Sequence, residues 1–163
     1  MDSMFIMLVP LIVSASLQFN TLNSTLKVLP ENRAILPKVQ IFLEEKKSPL
    51  PAGELLKYSN WEMIVALSNT ESGYGKHLGG DYNAWGIKDF RKGSSNYGKT
   101  RDFTSWAESI QYTSELLYKY DKDDGEPTVA GMVARWKYVK PYEHWIRNVN
   151  YALNDLESHT KAA

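Results

Sequence analysis

The sequence predicts a mostly α-helical domain with one irregular lobe inserted after its central helix. Apolar residues recur at helical spacing in several segments, and capping signals open the strongest of them. Between Gly73 and Thr104 that periodicity stops, and Gly, Asn, Ser and Tyr dominate instead. At 163 residues the chain suits one domain, long enough to bury a real core.

The first apolar run, "MFIMLVPLIVSAS", is short for a membrane span and ends in small residues. Val13 and Ala15 fit cleavage after Ala15, although Asp2 and the lack of Lys or Arg ahead of the run do not suit an export signal. Residues 1–16 therefore read as a signal peptide or N-terminal anchor, with a buried helix as the remaining alternative. Residues 17–36 lack periodicity and read as a linker, and the folded domain is expected over 37–158. Pro37 suits the first turn of a helix through "KVQIFLEEKK", which "SPLPAG" breaks before a further turn or two in "ELLKY".

Ser59 with Glu62 reads as a capping box for the central helix, "WEMIVALSNTES". Its residues 63–67 are all apolar, as in a helix buried on most sides. In the lobe that follows, "NAWGI" is the one plausible strand, part of a small hairpin. Ser105 with Glu108 opens the next helix, which carries Trp106, Ile110, Thr113, Leu117 and Tyr120 on one face. "DKDDGEP" stops it, and Thr128 caps a short helix bearing Val129, Met132, Val133 and Trp136. The last helix runs from about Pro141, with Trp145, Val149, Ala152 and Leu156 inward.

Several function classes find no support. Lys plus Arg (19) balance Asp plus Glu (19), so neither nucleic acid nor an anionic membrane is implied as a partner. Without cysteine there is no disulfide framework or thiolate chemistry. "DKDDGE" places its Gly one position early for a calcium loop and lacks the closing Glu. "GYGKH" lacks the upstream Gly and the Ser or Thr of a phosphate loop, and His77, His144 and His159 are scattered, with no "HExxH" pattern. No metal and no cofactor is expected.

The informative stretch is "NTESGYGKHLGGDYNAWGIKDF", residues 69–90. Glu71 shares a helical stripe with Ile64 and with Leu67 or Ser68, so it points the way core residues point. It also lies at the negative end of a helix dipole. Desolvation and dipole both favour the neutral acid over the carboxylate. An acid held protonated is what a glycosidase needs to protonate a leaving oxygen. Tyr82, Asn83 and Trp85 read either as packing and turn residues or as a sugar groove. Trp61, Trp106, Trp136 and Trp145 lie on helical stripes and read as core.

"ESGYGKHLGGDYNAWGI" resembles the lysozyme-like glycosidases that act on peptidoglycan, in particular glucosaminidases and lytic transglycosylase-like wall enzymes. The resemblance rests on Glu71, Ser72, Gly73, Gly75, Asn83, Trp85, Gly86 and Ile87. It extends through "FTSWAESIQYTSELLYKY" and "YVKPYEHWIRNVNYALNDL", with "IFLEEKKSPL" upstream, to cover roughly residues 37–158. It implies a lysozyme-like helical domain with Glu71 as general acid, and Tyr138 lining the cleft near an oxocarbenium-like state. Ser72 then orients the acid or its loop, while Tyr82, Asn83 and Trp85 hold the glycan. Glucosaminidases carry a second acid on a longer hairpin, which "KDFRKGSSNYGKTRD" is too short to supply; Asp89 and Asp102 flank it without matching that position. Two-carboxyl mechanisms need separations of roughly 5–5.5 Å or 6.5–9.5 Å, so a single catalytic Glu is expected.

The expectation is thus a secreted or cell-envelope-associated, monomeric enzyme cleaving β-1,4 bonds between N-acetylated amino sugars of peptidoglycan. It touches a membrane only through an N-terminal anchor. The alternative is a non-catalytic glycan-binding module of the same fold. The observation that separates them is whether Glu71 is buried beside a cleft and kept neutral there by a raised pKa, or is exposed and ordinary.

Overall fold

The computed structural model describes residues 28–121, 125–137 and 140–161. The signal or anchor segment, residues 17–27 of the linker, and Tyr138 lie outside the described residues. The rest of the expected linker is built into the body. Val28 is buried, a 3₁₀ turn spans Pro30–Ile35, and the Leu29 N–H and Asn32 amide both donate to the Leu56 carbonyl.

Six helices follow among the described residues: α1 (Leu36–Glu45), α2 (Ala52–Leu55), α3 (Trp61–Ser72), α4 (Trp106–Tyr120), α5 (Val129–Trp136) and α6 (Glu143–Lys161). The protein is mostly helical, as the periodicity predicts. Its centre is α3, where Met63 through Ser68 are consecutively buried. α6 packs along α3 most extensively, α1 lies against α6, and α4 and α5 close the other side. Ile64 and Leu67 of α3 meet the inward stripe of α6, Trp145, Val149, Ala152 and Leu156, in one core. Fully burying such an aliphatic side chain contributes about 1.5–3 kcal/mol.

The helix starts separate into two kinds. The Ser105 side chain accepts from the Glu108 N–H at 3.2 Å, and Thr128 accepts from the Gly131 N–H at 3.1 Å, as their sequence signals predict. Glu108 does not complete a reciprocal box; its carboxylate takes the Thr104 N–H and hydroxyl and the Arg101 guanidinium. Ser59 is not a cap. α3 starts one residue later, behind Asn60, and Ser59 Oγ instead bonds the Tyr118 hydroxyl at 2.7 Å. Asn60 is drawn inward by tertiary bonds, its amide donating to the Ser114 carbonyl and its carbonyl accepting from the Ser114 hydroxyl.

The irregular lobe follows α3 where expected, but among the described residues it contains no strand. One isolated antiparallel bridge, Lys88 with Thr100, ties its two sides together. "NAWGI" is a turn because the Asn83 side-chain oxygen accepts from the N–H groups of both Trp85 and Ile87, curling the chain around itself.

Candidate active site

α3 delivers Glu71 to the boundary between the helical body and the lobe. The helix ends at Gly73, whose φ of +60° is left-handed, and Tyr74 continues that turn with φ +64°. Ser72 then fastens the lobe to the helix end. Its hydroxyl lies 2.6 Å from the Ala84 carbonyl and 3.0 Å from that of Ser68, and it accepts from the Gly75 N–H.

Glu71 is half-buried, and its Oε1 is held from two sides. The indole N–H of Trp136, at the end of α5, donates to it at 3.0 Å, and that of Trp145, on α6, at 2.8 Å. Three helices therefore converge on one oxygen. Indole N–H groups only donate, so Oε1 is committed as an acceptor, and a proton on this acid belongs on Oε2. Among the described residues no donor occupies Oε2. It lies toward Gly86, where an added Cβ would sit 3.9 Å away.

Glu71 and Gly86 share the wall of a cavity of about 240 Å³, together with Trp85, Tyr112, Trp136 and Lys137. Among the described residues no other acid lines it. Asp89 is buried and saturated, taking Arg91 through Nε (2.9 Å), Nη2 (2.6 Å) and the backbone N–H (3.0 Å), and the Ser94 hydroxyl at 2.7 Å. These bonds, the Arg91 guanidinium first and Ser94 next, hold its carboxyl well below the usual carboxylate range. Asp102 accepts from the Asp81 N–H and the Asn96 amide. Each of these acids builds the lobe; neither faces Glu71 across the cavity.

The other predicted site residues divide. Trp85 lines the Glu71 cavity, although it is buried and its indole N–H is spent on the Ile64 carbonyl at 2.9 Å. Asn83 is buried with both ends of its amide engaged: Nδ2 donates to the carbonyls of Ile87 (2.9 Å) and Arg101 (2.7 Å), and Oδ1 takes two backbone N–H groups. Nothing remains of it for a sugar, so its place is in holding the loop, as is that of Ser72. Tyr82 stands apart, 40% exposed, beside a second hollow of about 480 Å³ that it shares with Leu78, Asp81 and Trp106. An edge-to-face row, Tyr82 to Trp106 to Trp85, links this hollow to the wall of the first.

The sequence reading assigns Trp136 and Trp145 to the core and overlooks Lys88, Tyr112, Arg135 and Lys137 as cavity residues. An apolar stripe looks the same whether its indole N–H meets a carbonyl or a carboxylate, so those two donors carried no signal. Among protein-family models, curated proteins and solved structures, none matches this chain. Chemically, the arrangement offers one carboxyl, held through Oε1 by two indoles and with Oε2 toward Gly86, at the wall of an aromatic-lined cavity.

Proposed function

We propose that this chain is a lysozyme-like glycosidase that cleaves β-1,4 bonds between N-acetylated amino sugars of peptidoglycan, at the cell envelope or outside it. The observation that carries the reading is the Glu71 carboxyl, with Oε1 pinned by two indoles and Oε2 left toward the cavity. A carboxylate serving only as a solvated helix end needs no such clamp. A general acid does, because its proton must point at the leaving oxygen.

In this reading Oε2–H of Glu71 protonates the bridging oxygen as the glycosidic bond breaks, and positive charge develops on the ring left behind. Glu71, now a carboxylate, accepts a proton from the incoming nucleophile. With no second carboxyl among the described residues of the cavity wall, that nucleophile is water or a hydroxyl of the same sugar. Water gives a reducing end and the sugar's own hydroxyl an anhydro end.

Incubation with purified peptidoglycan, followed by mass spectrometry of released fragments, tests this beside a Glu71→Gln variant. Fragments from the wild type alone are expected, and the mass of their ends separates hydrolysis from transglycosylation. Release of the same fragments by the Gln variant removes Glu71 from the chemistry. Wall binding without release by either protein replaces the enzyme with a binding module.

A further inference from the structure

The end of α4 grips α5 near both of its ends. At the start of α5 the Asp121 carboxylate, buried and directly after α4, accepts from the Thr128 N–H and from the Thr128 hydroxyl, each at 2.7 Å. At the far end, Arg135 Nη1 donates to the carbonyls of Lys119 (3.2 Å) and Tyr120 (2.8 Å). The next residue, Trp136, meets the Tyr120 ring edge-to-face at 6.1 Å, and its indole N–H reaches Glu71 Oε1 at 3.0 Å. Lys119, Tyr120 and Asp121 therefore hold the helix that supplies one of the two donors to the acid.

Room for the Asp121 carboxylate depends on Gly131. A Cβ there would lie 2.2 Å from Asp121 Oδ2 and 2.3 Å from Oδ1, far inside contact distance. Glycine is a poor helix former, and in α5 it lets the carboxylate sit against the first turn, where N–H groups and the helix dipole favour an anion. Burial of Met132 and Val133 keeps α5 on the body, but apolar contact is non-directional and tolerates sliding. A hydrogen bond is less forgiving: a slide of about 1 Å at Trp136 takes its indole out of range of Oε1. Polar ties at both ends of α5 set where Trp136 stands.

Resting on the glycosidase reading, we propose that Asp121 is a positioning residue for the proton transfer. Through Thr128 it sets the register of α5, and α5 sets Trp136 on Glu71 Oε1, which leaves Oε2 toward the cavity. Asp121 is not among the residues that line that cavity, so its influence travels through the helix and not through contact with the sugar.

Two readouts on the whole chain test this, and one of them needs no turnover. Hydrogen exchange of the indole N–H groups is followed by NMR, since Trp136 and Trp145 donate to Oε1 from different helices. Asp121→Ala is expected to speed exchange at Trp136 about tenfold while Trp145 stays within about twofold. Asp121→Asn, whose side-chain oxygen still accepts from Thr128, should restore most of the protection. Gly131→Ala keeps the carboxylate but displaces it, so it should behave like Asp121→Ala; its better helix propensity supports the fold where Asp121→Ala does not fold. With peptidoglycan, Asp121→Ala should lower kcat about tenfold with KM little changed. In a Trp136→Phe background the same substitution should change kcat by less than about twofold, because the route through the indole is already cut. Unaltered exchange at Trp136, equal acceleration of both indoles, or an undiminished effect of Asp121→Ala on top of Trp136→Phe overturns the proposal. A wild type without turnover sinks the glycosidase alone, and exchange at Trp136 then decides whether Asp121 sets the clamp on Glu71.

Discussion

Two indole nitrogens on one carboxylate oxygen make a specific demand at Glu71. Trp145→Phe keeps most of the ring packing of a buried side chain while deleting the 2.8 Å donor to Oε1. On the glycosidase reading this frees the acid to swing, so kcat is expected to fall roughly 10- to 100-fold with KM little changed. Trp136→Phe should lower kcat similarly and also move KM, because Trp136 lines the cavity as well. Steady-state kinetics with melting curves check both; a loss tracking stability alone would reduce the indoles to packing. Asn83 carries a contrasting prediction. Asn83→Ala strands two backbone N–H groups and two carbonyls in a buried turn, so unfolding by denaturant should show a loss of about 3 kcal/mol or more. The position of Glu71 at a cavity wall was legible in the sequence because a carboxylate on an apolar stripe is costly without a reason. The Asn83 role was not, since an amide in a Gly-rich loop suits a sugar and a turn equally well.

Helix boundaries show the same division at the next scale. Ser105 and Thr128 cap because their hydroxyl oxygens stay free to accept from the local backbone N–H, even while the Thr128 hydroxyl donates to Asp121, so local chemistry decides and the sequence reveals it. Ser59 carries an equally good signal and loses it to a tertiary bond with Tyr118, while Asn60 is pulled to Ser114 from a helix more than fifty residues away. Such contacts override local propensity and leave no trace in a short window. The consequence is measurable. Ser105→Ala should destabilise the protein by about 1 kcal/mol through the lost cap. Ser59→Ala, at an exposed bond between hydroxyls, should stay within about 0.5 kcal/mol. Equal losses in denaturant titrations would restore Ser59 as a cap in solution. The hairpin expected at "NAWGI" failed to form a strand for a similar reason: side-chain-to-backbone bonds satisfy that segment locally, leaving Lys88 and Thr100 as the lobe's one bridge.

Across the whole molecule, two unlike structures meet at Glu71. The helical body is held by apolar burial, which is indifferent to proton concentration. The lobe sends Ala84, Trp85, Ile87 and Phe103 into that core and adds hydrogen bonds to carboxylates, which the body's apolar packing lacks. Asp89 closes the loop tip around Arg91 and Ser94, and its backbone meets Lys99 and Gly98; Glu108 anchors the lobe's return through Thr104 and Arg101. Both carboxyls are held below their ordinary range, Asp89 first by the Arg91 guanidinium and Glu108 first by the Thr104 N–H. A carboxyl whose pKa is depressed by folding binds protons more readily when unfolded. Its stabilisation is therefore complete above the unfolded value, near pH 4, and drains away as pH falls below it toward the lower folded value. The two halves should then part company in acid. Amide exchange of Asp89 and Gly98, whose N–H groups close the lobe, should lose about tenfold or more in protection between pH 7 and pH 3, while α3 amides keep theirs. Asp89→Asn should show the weakened lobe already at pH 7 and a smaller further loss on acidification, the part that Glu108 contributes. Parallel loss of protection in lobe and α3 would mean that they form one cooperative unit. Because Gly86 and Lys88 of the lobe line the cavity whose acid comes from the body, separate melting would make the cavity wall the first casualty of acid, ahead of the fold itself.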